Sequence, residues 1–151
     1  MKKSRLNLTF PIRVYPYRVY YADTDAGGVV YYAQYLRIFE RMRALYVEEY
    51  GLTLREMAER NCVFVCRRAE VDYLSPALLD DKLEVKTWIS ELGGAYLTFQ
   101  YEIVCPERTG EEGQPARIAA GITKMACCRR DESVMKTCRI PSWVLERLGD
   151  S

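Results

Sequence analysis

One segment of this 151-residue chain repeats with a helical period, and most of what surrounds it alternates. From Gln34 to Tyr50 the residues Tyr35, Ile38, Phe39, Met42, Leu45, Tyr46 and Tyr50 fall on a single apolar stripe. Arg37, Glu40, Arg41, Glu48 and Glu49 fall largely elsewhere. The spacing predicts an amphipathic helix of about five turns. Gly51 supplies its C-terminal stop. A lone helix cannot bury such a stripe, so it needs a sheet to pack against.

The rest of the chain supplies that sheet. Residues 12–21, IRVYPYRVYY, read as a strand, and Pro16 would deny it one ladder hydrogen bond, which predicts an edge or a bulge. Strands are expected at 62–73, 82–92, 95–105 and 116–130. Ser75-Pro76 and Asp131–Ser133 mark turns, Gly93-Gly94 marks a hairpin, and 106–115 reads as a polar loop. Thr53 and Glu56 have capping-box spacing for a short second helix. A short strand near Met135–Ile140 and a last helical turn begun by Pro141 complete the tail. Short connections imply antiparallel pairing. The expected fold class is α+β, as one domain over 1–151 with no repeat and no linker.

Composition excludes several classes. The net charge is +1, from 22 Lys+Arg against 21 Asp+Glu, which gives no steering field for nucleic acid. Lys2, Lys3, Arg5, Arg13 and Arg18 precede the first acid and read as a solvated tail and edge strand. No apolar run approaches a membrane span and no signal-peptide pattern opens the chain, so a cytoplasmic location is expected. Six cysteines without a C-x-x-C pair read as free, buried, reduced thiols, with Cys62 and Cys66 on one strand face. The chain has no histidine. That removes the Ser-His-Asp triad, the Cys-His dyad and the His-ligated zinc hydrolase.

The stretch that carries chemistry is Tyr21-Ala22-Asp23-Thr24-Asp25-Ala26-Gly27-Gly28-Val29-Val30-Tyr31-Tyr32. It lies between the first strand and the long helix. Its simpler reading is a polar turn in which Asp23 or Asp25 bonds local amides. The helix beginning close after Tyr32 adds a second reading. The first amides of a helix lack internal acceptors and carry partial positive charge. A substrate carbonyl lodged there is polarised, and a developing oxyanion is stabilised. A nearby carboxylate can attack the carbonyl carbon or activate water. The two glycines, Gly27 and Gly28, let backbone approach a ligand closely. This is acyl-transfer chemistry without histidine.

YYADTDAGGVVYYAQYL resembles the signature of the hotdog-fold acyl-CoA thioesterases, closest to the 4-hydroxybenzoyl-CoA thioesterase family and its Tol–Pal-associated members. FVCRRAEVDYLSPALLDDKLEV, AYLTFQYEI and MKTCRIP extend the likeness over roughly residues 14–141. The resemblance implies an antiparallel sheet wrapped around one long central helix, with a domain core of about 12–141. It also implies a homodimer or homotetramer with the active site at a subunit interface. The implied catalytic carboxylate is Asp25 and the implied carbonyl-polarising group is the Tyr32 backbone amide. Asp23 and Gly28 have supporting roles. Many Tol–Pal-associated members carry histidine where this chain carries Tyr32, so the backbone rather than the side chain is expected to act there. The substrate is an acyl-CoA, of which coenzyme A is a part. No separate cofactor, no metal, no nucleic acid and no membrane span are expected. The rivals are a non-catalytic acyl-CoA-binding domain, an acyl-carrier-protein thioesterase and a dehydratase on the same fold. The dehydratase would need the missing histidine.

Overall fold

The computed structural model describes residues 9–149. The Lys2, Lys3 and Arg5 portion of the basic run lies outside them. The elements are β1 Arg13–Arg18, α1 Gln34–Glu48, α2 Leu54–Glu59, β2 Val63–Tyr73, β3 Lys82–Leu92, β4 Tyr96–Thr109, β5 Pro115–Asp131, β6 Val134–Thr137 and α3 Ser142–Gly149. Every strand pair is antiparallel, in the order β1-β3-β4-β5-β2, with β6 pairing β5 beyond the end of β4. Among the described residues β1 has β3 as its only neighbour, so Pro16 sits on an edge strand, where a missing donor is tolerated.

α1 lays Tyr35, Ile38, Phe39, Met42, Tyr46 and Val47 into the core against the sheet. Phe39 stacks on Tyr101 of β4 with ring centroids 4.0 Å apart. Such a pair contributes about 1 kcal/mol beyond its area. Close approach requires Gly121 on β5, where an added Cβ would lie 2.6 Å from the Phe39 ring. Leu45 departs from the predicted stripe and is exposed. It lies six residues from Phe39, a rotation of about 120° around the helix away from that ring.

Other boundaries shift for local reasons. The first strand ends at Arg18 rather than Tyr21, because Tyr21–Asp23 winds into a single 3₁₀ turn. β4 runs to Thr109, so the polar loop shortens to the turn around Glu111–Gly113. Pro106 is accommodated where the β4–β5 register shifts between Cys105 and Thr109. α2 forms with Thr53 Oγ1 accepting from the Glu56 amide at 3.1 Å. The Glu56 carboxylate, instead of closing the capping box, pairs with Arg147 of α3 at 2.8 Å. Not every cysteine is buried. Cys62 is buried just before β2, whereas Cys66 is exposed at the register shift between Cys66 and Arg68.

Candidate active site

The loop between β1 and α1 is built around Asp23. This residue is 4% exposed. Its carboxylate accepts from the Tyr17 hydroxyl at 2.9 Å, from the Tyr20 amide at 2.9 Å and from the Gln34 side-chain amide at 2.8 Å. One residue on β1, one just before the 3₁₀ turn and one in the first turn of α1 are thereby tied to one carboxylate. Arg41 donates to the Tyr17 oxygen at 2.8 Å, which extends the chain of bonds along the helix. Burial and the bond to Asp23 push the Tyr17 phenol up to about 12, so it stays a donor. The Asp23 carbonyl also accepts from the Tyr31 amide at 3.0 Å.

Asp25 is placed differently. It is exposed, at the tip of the same loop. Its Oδ1 accepts from the Gly27 amide at 2.8 Å, and its backbone closes a tight turn through Asp25 N–H to Val29 O at 2.9 Å. Gly28 holds the turn with φ +78°, a left-handed conformation that a side chain would strain. The Asp25 charge is felt by the Tyr31 phenol, which is raised chiefly by the neighbouring Tyr32 phenol and in smaller part by Asp25.

α1 begins without a side-chain cap, and no acid occupies its first turn. Among the described residues the Tyr32 and Ala33 amides donate to no acceptor, while the Gln34 amide bonds Tyr31 O at 2.8 Å. An uncapped helix start presents unsatisfied donors and partial positive charge to whatever lies beside it. The Tyr73 hydroxyl, at the end of β2, donates to the Tyr32 carbonyl at 3.0 Å. Tyr31, Tyr32, Tyr35 and Tyr73 form a run of ring contacts beside this helix start. The structure thus brings Asp23, Asp25, Gly28 and Tyr32 onto one loop. Tyr17, Gln34 and Tyr73 complete the setting and were not singled out from sequence. Tyr73 is 41 residues from Tyr32, and no local pattern announces that contact.

A cavity of about 550 Å³ opens along the other half of α1. Its walls include Val47, Met57, Phe64, Leu97, Phe99 and Met125, with Glu40 and Arg43 among the polar lining. Arg43 reaches across to the Tyr101 hydroxyl at 3.1 Å.

Residues 19–148 match the family model of the thioesterase-like superfamily. The chain belongs to that superfamily. It is 42% identical over 95 residues to the acyl-CoA thioester hydrolase YbgC of Escherichia coli O6:H1, covering 63% of this chain and 71% of that protein. It is 32% identical over 137 residues to a putative esterase of Aquifex aeolicus, covering 91% of this chain and 98% of the relative. The 4-hydroxybenzoyl-CoA thioesterase of Pseudomonas sp. strain CBS-3 superposes with a TM-score of 0.77 at 19% identity, over 90% of this chain and 98% of that one. The fold of this superfamily member is therefore the hotdog, an antiparallel sheet curled around one long helix. Among the described residues no helix is long and apolar enough to cross a membrane.

Proposed function

We propose that this hotdog protein is an acyl-CoA thioesterase that releases a free carboxylic acid and coenzyme A. The single observation that carries the reading is the contrast within one loop. A buried Asp23 clamps the loop, an exposed Asp25 carries a free carboxylate oxygen, and the Tyr32 amide beyond it has no acceptor among the described residues. The thioester carbonyl is held by the Tyr32 amide at the helix start, where charge developing on its oxygen is stabilised. Either Asp25 attacks the carbonyl carbon, the coenzyme A thiolate departs and water then cleaves the resulting anhydride to the free acid, or Asp25 takes the proton of an attacking water and passes it to the departing thiolate. Asp23 positions the loop, and Gly28 allows its turn. The chemistry needs no metal and no separate cofactor.

The proposed active unit is at least a homodimer, formed by the single domain over 1–151. Among the described residues β2 pairs only with β5, so its other edge presents eleven residues with no strand partner there, most of them exposed on both faces. A long open edge invites a second strand, and a twofold axis pairs β2 with its own copy antiparallel. The Tyr73 end of one β2 then lies beside the partner subunit's Val63. Tyr73 touches Tyr32, while Phe64 and Cys66 line the cavity at the other end of the strand. The catalytic loop of each subunit would therefore face the apolar cavity of the other, a fit for an acyl group.

The test is free-thiol release over a panel of acyl-CoA substrates, with sedimentation or scattering to fix the oligomeric state. Asp25→Asn is expected to abolish turnover while ligand binding and folding survive. Near wild-type kcat in that variant overturns the assignment of Asp25. Binding of acyl-CoA without thiol release in the wild type overturns the hydrolase reading in favour of a binding domain. Hydrolysis confined to the same acyl group on acyl carrier protein makes the carrier protein the substrate.

A further inference from the structure

Three thiols meet at a point the proposed chemistry does not use. Cys127 of β5 is fully buried. Its Sγ lies 3.6 Å from Cys138 Sγ and 3.7 Å from Cys62 Sγ. All three are free. The two contacts differ in what the backbone permits. β5 and β6 pair Cys128 with Thr137, so one step further Cys127 and Cys138 are directly opposite, and the Cys138 amide donates to Cys127 O at 2.9 Å. Directly opposite residues in an antiparallel pair have Cα atoms about 4.5–5.5 Å apart, inside the range of about 4.4–6.8 Å that a disulfide accepts. β2 and β5 instead pair Cys127 with Phe64. Cys62 is then diagonal to Cys127, and diagonal neighbours are separated by about 7–8 Å, beyond what a disulfide spans without backbone movement.

We infer that Cys127 and Cys138 form an oxidisable pair that a peroxide converts to a cross-strand disulfide, with Cys62 left reduced beside it. Cys138 is the half-buried member and the point of entry. Its sulfur attacks the peroxide oxygen, the O–O bond breaks, and Cys138 becomes a sulfenic acid as the peroxide is reduced to water or an alcohol. Cys127 sulfur then attacks the sulfenic sulfur. The S–O bond breaks, the S–S bond forms, and the hydroxyl leaves as water with the Cys127 proton. Two thiols are oxidised and one peroxide is reduced. The bond would staple β5 to the segment that leads into α3, whose Val144 and Leu148 are buried against the core and line the cavity wall.

The test uses the full chain carrying Cys66→Ser, which removes the exposed thiol. The reduced protein is treated with hydrogen peroxide, blocked by alkylation, digested with trypsin without reduction and read by mass spectrometry. The expected product joins the peptide Met125–Arg129 to Thr137–Arg139 and disappears on reduction. Because the first peptide also holds Cys128, the link must persist in Cys128→Ser and in Cys62→Ser, and must vanish in Cys138→Ser. Cys138→Ser changes a half-buried residue, so it keeps the test decisive if Cys127→Ser fails to fold. Linkage through Cys62 or Cys128 overturns the inference. So does sulfinic or sulfonic acid at Cys138 with no cross-link. Neither outcome depends on which thioester the protein hydrolyses.

Discussion

Asp23→Asn and Asp25→Asn change the same atoms two residues apart, and the structure predicts opposite phenotypes. Asp23 receives three donors, two of them on separate oxygens: Gln34 on Oδ1 and the Tyr20 amide on Oδ2, with the Tyr17 hydroxyl shared. An asparagine has one oxygen and one NH₂ group in that space. Whichever way it turns, its NH₂ meets a buried donor. One unsatisfied donor costs about 1–3 kcal/mol, and the surviving bonds lose charge assistance worth roughly 1 kcal/mol more. The total is about 3 kcal/mol, roughly a hundredfold in the folding equilibrium. At Asp25 an asparagine oxygen still accepts from the Gly27 amide, and the residue is exposed, so the change is within about 0.5 kcal/mol. Urea unfolding followed by tryptophan fluorescence measures both. Asp23→Asn should lose midpoint without change of slope. Asp25→Asn should unfold as wild type and release no thiol from acyl-CoA. A loss under about 1 kcal/mol for Asp23→Asn, or equal losses for the two variants, refutes the division of labour between the two acids.

Gly121→Ala drives a Cβ to 2.6 Å from Phe39 and 2.9 Å from the Glu70 carbonyl, and overpacking of this kind costs about 1–3 kcal/mol or more. Gly28→Ala meets nothing within 4 Å, so its cost is the positive φ alone, about 1 kcal/mol. Thermal melts of the pair should rank them in that order. The Arg147 guanidinium beside Glu56 holds its carboxyl down to about 2, with Arg60 adding to the effect. A depressed carboxylate contributes stability above its unfolded value, and that contribution is lost as pH falls from about 4.5 towards about 2. Arg147→Met should flatten the acid limb of a stability–pH curve in that window. An unchanged limb would show that the α2–α3 ion pair is not what responds there. Tyr73→Phe removes the donor to the Tyr32 carbonyl and should lower kcat more than it raises KM if that bond orients the helix start. A change in KM alone would assign Tyr73 to substrate contact instead.

Much of the fold was legible because periodicity is local. The 3.6-residue stripe located α1, alternation located β3, and Gly93-Gly94 located the hairpin that follows it. The two acids and two glycines before the helix marked the loop, and the missing histidine left carboxylates, hydroxyls, thiols, lysines and backbone amides as the groups on offer. These features depend on residues within a few positions of one another.

The rest was decided by contacts between residues far apart in the chain. Nothing local says that β2 pairs with β5 and not with the strand that follows it. Nothing in D-T-D says which acid is buried. Asp23 is the clamp because Tyr17 on β1 and Gln34 on α1 converge on it once both elements pack, and Asp25 stays exposed in the turn that Asp25 and Val29 close. Leu45 had the right spacing and is exposed, whereas Val47 lacked a place in the stripe and is buried. The sequence by itself determined the elements and the chemical groups on offer. Only the tertiary structure decided which of those groups lost their water and which kept it, because burial is set by what each element packs against.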